Sequence, residues 1–414
     1  MSRMALEGVR VIEVTANWAG PLAGRLLADL GAEVIKIEYP RRPATRGGRA
    51  PGGDSTVVRG YNRGGYFNKM NRNKHDLTLD LGHPKGKELF IALARRSDVL
   101  VENNSARVMA NFGLDYAVLS LVNPRLVMIS MPGFGMTGPE RDYMAYGSNI
   151  ETTSGYASLL GYGDGQPFRT GGFYGDPVAG AHGAFAVLAA LHNRRRTGQG
   201  QLIDLSLNES LMSFLGEAFL EYGLTGRDPS QQGNRHPRMA PHGCYRCSGQ
   251  DQWVAIAVRD DQEWTRLCGA VGDAEWAERI EWATLAGRLE HHDELDAAIS
   301  EWTKERDHYE VMRALQAAGV PAGAVLQNWE MLSDPHVYHR GFYVMTEHPE
   351  TGVLPFPGMP WKLSATPGSV RLPAPLFGQH NQDILGGILG LSTEEIAQLE
   401  AEEVISRVPL ARGD

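Results

Sequence analysis

The sequence is short of cysteine, of positive charge and of long apolar runs, and each shortage removes a class of protein. Three cysteines in 414 residues are few and odd in number, so no disulfide framework is expected and a reducing cytoplasm is the expected compartment. Lysine and arginine number 40 against 49 acids, a net charge of −9. A chain of that sign has no general field for nucleic acid or an anionic membrane. No apolar run approaches the ~20 residues that cross a bilayer. The N-terminal stretch enters the strand-like VRVIEVT without a basic flank, an apolar h-region or a small-residue cleavage site, so neither insertion nor a secretion signal is expected. Internal repeats and low-complexity tracts are missing too.

What is present is the composition of a large globular enzyme: 42% hydrophobic and 21% charged residues, in a chain long enough for roughly two or three cored domains. The periodicity predicts strand, helix, strand over Val9 to Thr15, Ala19 to Ala32 and Glu33 to Glu38, with Leu22, Leu26, Leu27 and Leu30 at helical spacing. The alternation continues with a helix over Lys85 to Arg96, a strand over Val99 to Glu102, a helix near Tyr116 to Val122 and a strand over Leu126 to Met131. Such alternation implies a parallel sheet covered on both faces. A long Ala-rich helix over Asp176 to Arg196 stops at Thr197-Gly198, before strand QLIDLSL. The polar stretch from about Thr225 to Gly243 marks entry into a second unit with strand WVAIAV and several amphipathic helices. A Pro-rich tail with strand signals follows the AGVPAG turn and ends in the helix STEEIAQLEAEE.

Charge is uneven. Between Lys36 and His75 stand ten cations (Lys36, Arg41, Arg42, Arg46, Arg49, Arg59, Arg63, Lys69, Arg72, Lys74) against Glu38 and Asp54. On an acidic chain this suggests either a phosphorylated small ligand or a solvated loop. Gly133 to Gly138 match G-x-G-x-x-G directly after a strand, but Pro139, Glu140 and Arg141 follow instead of a helix, and no acid lies at the ribose-binding distance. A tight loop is preferred to a dinucleotide site. His236, His242, Cys244 and Cys247 contain one C-x-x-C without a second knuckle, so a hairpin with core-facing cysteines is preferred to a zinc site. At Gly175-Asp176-Pro177, aspartate before proline at a helix start has the form of an ordinary N-cap. The same position suits a nucleophile, because a helix N-terminus favours an ionised carboxylate and offers N–H groups to a developing oxyanion. Gly171, Gly172 and Gly175 would let a bulky ligand approach the backbone.

Taken together, LEGVRVIEVTANWAGPLAGRLLADLGAEVIKIE, YFNKMNRNKHDLTLDL, VEN, NPRLVMISMPGFGMTGP, GGFYGDPVAGAHGAFAVLAALHNRRRTGQGQLIDLSL and AGVPAGAV with the following DPH resemble class III CoA-transferases, the family of formyl-CoA transferase, carnitine CoA-transferase and benzylsuccinate CoA-transferase. The likeness runs over essentially the whole chain in matching order and spacing.

The resemblance implies an α/β fold: a doubly wound parallel-sheet large domain built from both chain ends, plus a smaller central α+β domain. Residues 1–210 would form the N-terminal part of the large domain, 211–230 a linker, 231–317 the small domain, and 318–414 a linker and the return to the large domain. It also implies an interlocked homodimer, with a heteromer containing a homologous subunit as the alternative. The implied activity moves CoA from an acyl-CoA donor to a free carboxylic acid, with Asp176 attacking the thioester and then carrying CoA as an aspartyl thioester. Coenzyme A and its esters are the implied substrates, and no metal is needed. By the same likeness Trp18, Ala19, Leu79, Asp80, Asn103, Asn104, Ser105 and Tyr146 would lie along CoA or in the reaction chamber. Arg107 and Lys74 are further implied contacts. Many members have arginine after the VIKIE strand where this chain has Tyr39, so Arg41 or Arg42 is expected at the phosphates. Asn104-Ser105-Ala106-Arg107 replaces the familiar R-P-G, and Asn111 replaces a basic residue of formyl-CoA transferase. GNRHPRMAPHGCYRC replaces its glycine-rich lid and is closer to members acting on larger or aromatic acids, so formate and oxalate are not expected substrates. Succinyl-CoA is the donor expected from family habit. The rival α-methylacyl-CoA racemase branch needs a histidine after GFG-x-TGP, where MAYGSNIE has only Tyr146, a side chain ionising near 10. A nicotinamide-dependent dehydrogenase and a non-catalytic CoA-binding subunit are the remaining alternatives.

Overall fold

The computed structural model describes residues 4–41, 46, 60–272 and 274–411, which fall into two compact units. The first takes the chain up to Ala157, Arg169–Thr225 and everything from His339 onward; the second takes Ser158–Phe168 and Gly226–Tyr338. Among the described residues no helix is long and apolar enough to cross a membrane.

The first unit is organised by six strands: β1 (Arg10–Val14), β2 (Glu33–Glu38), β3 (Lys74–Thr78), β4 (Val99–Glu102), β5 (Val127–Ser130) and β6 (Gln201–Asp204). All pair in parallel in the order β3-β2-β1-β4-β5-β6. Between them run α1 (Ala19–Asp29), α2 (Gly65–Asn71), α3 (Pro84–Ala94), α4 (Val108–Phe112), α5 (Tyr116–Val122), α6 (Gly147–Thr153) and α7 (Gly175–Thr197). Strands buried on both faces carry runs of Val, Ile and Leu, and successive side chains feed opposite cores. Val11 on β1 packs with Ala23 and Leu27 of α1 and Ala179 and Val187 of α7. Its neighbour Ile12 packs into the other core with Phe90 of α3 and Leu119 of α5. Ile384, Leu385, Ile396, Leu399, Val404 and Ile405, from the far end of the chain, complete that second layer. In the second unit β7 (His242–Arg246), β8 (Trp253–Ala257) and β9 (Ala322–Val325) form an antiparallel sheet in that order. Helices carrying Trp264, Leu295, Ile299, Val311 and Leu315 cover it.

Several boundaries depart from the sequence reading. The AGVPAG segment is more than a turn: its end is β9, pairing Ala322 to Val325 with β8, so residues 318–338 belong to the second unit. Residues 211–225 are no linker but the end of helix Leu207–Met212 and helix Gly216–Thr225, both in the first unit. Strand β6 stops at Asp204 because the Ser206 side chain accepts the Glu209 N–H and starts a helix. Helix α7 begins at Gly175, behind Tyr174, one residue earlier than read.

The two discounted motifs resolve structurally. No helix opens at Gly138; the next begins at Gly147, and Asp204 Oδ1 instead accepts the Met136 N–H at 2.9 Å, tying the glycine loop down. Cys247 lies in the second unit's core while Cys244 is exposed on β7. Three residues apart on an extended chain, they point to opposite faces, so only one faces the core.

Candidate active site

The β1–α1 turn is pinned from β4: Asn103 Oδ1 accepts the Ala16 N–H at 2.8 Å and its Nδ2 donates to the Ala16 carbonyl at 2.9 Å. Asn17 then turns the chain at φ +60°, and Trp18 precedes Ala19, the first residue of α1. Helix α6 starts at Gly147 after Tyr146, whose N–H donates to Asn149 Oδ1 at 2.6 Å. Helix α7 can press against α1 because both are lined by small residues. A Cβ on Gly180 would stand 2.8 Å from the Ala19 carbonyl oxygen, and one on Gly183 3.0 Å from Met131 Cε.

These three helix starts converge on Asp176. It sits in the first turn of α7, behind Tyr174 at the capping position; the backbone N–H groups of Ala19 and Gly147, the leading residues of α1 and α6, face its carboxylate. A Cβ on Gly147 would stand 2.0 Å from Asp176 Oδ2, so only glycine leaves room there. Burial is the largest influence on Asp176 and raises its pKa; the two N–H groups oppose it, nearby Glu151 adds to it, and the result is about 6. A carboxylate that ionises at about 6 is charged at neutral pH and more basic than an ordinary aspartate, which suits a nucleophile. Glu151 itself is buried and accepts the N–H of Thr170 at 3.2 Å and of Tyr174 at 2.7 Å. It thereby fastens the loop that carries Gly171 and Gly172.

Beside this point a cleft of about 780 Å³ opens at the carboxyl ends of β1, β2, β3 and β4. That volume suits a cofactor-sized ligand. Strand order reverses between β1 and β4, the place where doubly wound sheets bind ligands. Leu79, Asp80, Asn104, Ser105 and Tyr146 line the cleft together with Asn17, Tyr39, Val108 and Phe112. Asn17 and Tyr146 connect it to Asp176, because the N–H groups facing that carboxylate follow them closely in the chain.

Other residues singled out by sequence lie elsewhere. Trp18 is outside the cleft lining and meets Tyr66 edge-on, with ring centroids 5.6 Å apart. Asn103 serves the turn. Arg107 is exposed at the start of α4. Arg41 pairs with Glu403 and donates to the Ala411 carbonyl at 3.1 Å; Arg42 lies outside the described residues. Lys74 does not reach the cleft at all. It is buried, with Nζ 2.7 Å from Glu13 Oε2 and 2.9 Å from both the Pro21 carbonyl and Asn71 Oδ1.

The cationic cluster shares that fate in large part. Lys36 joins Glu13, Arg46 joins Glu38 and Asp76, and Arg72 joins Asp29, all buried. Arg49 and Arg59 lie outside the described residues. Glu13, Asp29 and Asp76 stand outside the Lys36–His75 stretch, so its excess of cations looks uncompensated in the sequence. Sequence reasoning missed Tyr66, whose hydroxyl is raised by burial and then by the Asp176 charge, and it missed Glu151.

A doubly wound α/β unit with a cofactor-sized cleft at its switch point and a perturbed carboxylate beside it defines a ligand-binding enzyme fold. Residues 6–381 match the model of CoA-transferase family III, and the chain belongs to that family and is a CoA-transferase. It is 37% identical over 402 residues to succinyl-CoA–D-citramalate CoA-transferase of Chloroflexus aurantiacus, covering 97% of this chain and 98% of that one. Identity to succinate–glutarate CoA-transferase of Agrobacterium fabrum is 35% over 381 residues, 92% and 94% of the two chains. A crystal structure of a CAIB/BAIF family protein from Brucella suis superposes with a TM-score of 0.86 at 30% identity, covering 94% of this chain and 100% of that one.

Proposed function

We propose that Asp176 carries CoA between two carboxylic acids through a covalent thioester. A carboxylate oxygen of Asp176 attacks the donor thioester carbonyl; the C–S bond breaks and CoA leaves as the thiolate, giving a mixed anhydride. The thiolate attacks the aspartyl carbonyl and releases the donor acid, leaving aspartyl-CoA. The acceptor carboxylate attacks this thioester, expels the thiolate and forms a second anhydride. The thiolate attacks its acyl carbon, releasing the new acyl-CoA and the free Asp176 carboxylate. Each step keeps the acyl group activated and out of water's reach. The N–H groups of Ala19 and Gly147 serve the oxygen that becomes anionic in the tetrahedral states, as preorganised donors at helix starts.

The observation that supports this reading best is that the Asp176 carboxylate faces two N–H groups from the starts of two other helices, α1 and α6. Succinyl-CoA as donor is supported by the name of the Chloroflexus aurantiacus relative. An interlocked dimer is supported by helix Gly216–Thr225, which buries no residue and exposes Phe219, Leu220, Tyr222 and Leu224. Incubation with succinyl-CoA, trapping with hydroxylamine or borohydride and mass spectrometry should find the modification on the peptide carrying Asp176. Asp176→Asn should fold and bind CoA but not transfer it; wild-type-like turnover in a verified, non-deamidated preparation would contradict the mechanism.

A further inference from the structure

Helix α6 meets the segment that delivers Asp176 at three places along its length. A Cβ on Gly147 would stand 2.6 Å from Phe173 Cβ and 2.0 Å from Asp176 Oδ2, and one on Gly175 would stand 2.5 Å from Ile150 Cγ2. One residue beyond Ile150, the Glu151 carboxylate grips the same segment twice. Its Oε1 accepts the Tyr174 N–H at 2.7 Å and the Thr170 hydroxyl, and its Oε2 accepts the Thr170 N–H at 3.2 Å. Between these two points lie Gly171 at φ +72° and Phe173 at φ +50°. Glycine adopts the left-handed region freely, whereas a bulky side chain stays there only where its surroundings over-determine it. Glu151 closes the base of this arch, and at its exit the Phe173 carbonyl accepts the Asp176 N–H at 2.9 Å.

Glu151 is only 1% exposed, and among the described residues its carboxylate accepts from this loop alone and pairs with no cation. A buried carboxylate without a counter-ion is costly, and this one acts on a second carboxylate, that of Asp176. A glutamine here could serve one flank only. With its oxygen toward Tyr174 and the Thr170 hydroxyl, its NH2 group would face the Thr170 N–H, a donor against a donor. The double grip therefore requires a carboxylate.

We propose that Glu151 is a positioning residue of the transfer reaction: by clasping Thr170 and Tyr174 it locks their loop onto α6 and keeps Asp176 in register with the Gly147 N–H. This rests on the transferase reading above and adds to it the residue that holds nucleophile and donor in one frame. The need for such a frame follows from the chemistry. Asp176 passes from anion to anhydride to thioester and back, and each acylation removes the charge that attracts the two N–H groups facing it. Glu151 grips the loop through Thr170 and Tyr174, so its hold is the same whatever Asp176 carries.

The test measures how fast the full-length enzyme forms the hydroxylamine-trappable Asp176 adduct from succinyl-CoA between pH 5 and pH 9, with CoA affinity by calorimetry on the same preparations. Glu151→Gln should slow adduct formation about 10- to 100-fold at pH 8, the range for a charge-assisted hydrogen bond lost beside a reacting group, while CoA affinity holds. Its pH midpoint should also move. Burial is the larger influence that raises the Asp176 pKa to about 6 and the Glu151 charge a smaller one, so removing that charge favours the ionised form and carries the midpoint to lower pH. A purely structural glutamate would leave the midpoint where it is. Thr170→Val keeps the question open to refutation if Glu151→Gln does not fold: its side chain is exposed, it removes only the hydroxyl from the clasp, and it should slow the adduct about 10-fold. An adduct rate in Glu151→Gln within threefold of wild type, or an unmoved midpoint, overturns the assignment, as does a Thr170→Val rate within twofold. Absence of any adduct in the wild-type sample sinks the transferase reading itself, and so is distinguishable from failure of the role given to Glu151.

Discussion

Replacing Gly147 by alanine tests the geometry around Asp176 with one methyl group. Its backbone lies outside the left-handed region, so alanine meets no conformational barrier, and at a helix start it gains up to ~1 kcal/mol of propensity. Against this, the new Cβ would stand 2.0 Å from Asp176 Oδ2 and 2.6 Å from Phe173 Cβ, an overpacking that costs about 1–3 kcal/mol. The two effects partly cancel, so the fold should lose no more than about 2 kcal/mol and remain native at 25 °C. The carboxylate has no such compensation. Ordinary contact begins at 3.4 Å, so it has to move by more than 1 Å, and a displacement of that size at a reacting group costs about 100-fold in rate, or about 2.7 kcal/mol. The assay is CoA exchange from succinyl-CoA followed by chromatography, with CoA affinity by calorimetry and urea unfolding on the same preparation. CoA affinity should hold while turnover collapses. In an Asp176→Ala background the methyl finds space, so the stability cost of Gly147→Ala should shrink by at least half, a coupling the double-mutant cycle reads directly. Turnover of Gly147→Ala within threefold of wild type would refute the placement of Asp176 against the α6 start.

Three further outcomes follow from the same geometry. With the Asp176 pKa at about 6, the rate of adduct formation should be flat above pH 7 and fall tenfold per unit well below pH 6; a profile still flat at pH 5 would contradict it. Because that pKa is raised above its ordinary 3.8, the folded state binds the proton more tightly, so this group contributes most at low pH and its contribution is lost as pH rises from about 4 to 6. Asp176→Asn should accordingly unfold at higher urea at pH 8, by a margin on the order of 2–3 kcal/mol, and lose this advantage below pH 4. Lys74→Met removes a buried partner of Glu13 and should cost about 3–5 kcal/mol in stability, while the native fraction binds CoA as wild type does; a selective loss of CoA affinity would return Lys74 to the ligand.

How far the sequence could be read depends on where the signal lies. Strands β1, β2 and β4 were legible because both faces are buried, which concentrates Val, Ile and Leu in VRVIEV, EVIKIE and DVLVE, whereas β3, KHDLT, carries too few apolar residues to be read as a strand. Asp176 was visible as a helix-start acid, but its partners were not, since Ala19 and Gly147 act through backbone N–H groups that leave no mark on residue type. The charge cluster misled because proximity in sequence is a poor guide to pairing across a sheet: Glu13 on β1 neutralises Lys36 on β2 and Lys74 on β3. Strand β9 was hidden by its composition, Ala-Gly-Ala-Val, which carries too little side chain to show a period.

The orientation of Asp176 also decides between structural and chemical roles on energetic grounds. An aspartate retained as an N-cap stabilises its helix by about 1 kcal/mol, through bonds to its own first-turn N–H groups. Asp176 is not at the capping position, which Tyr174 occupies; it is held where burial and Glu151 work against its charge and the N–H groups of Ala19 and Gly147 only partly compensate. The net effect at neutral pH is a cost of the same order as, or larger than, the benefit a cap would bring. Asparagine would accept the same N–H groups without that charge. A chain that keeps a charged carboxylate where a neutral one would be more stable is using the charge, as expected where stability is traded for reactivity.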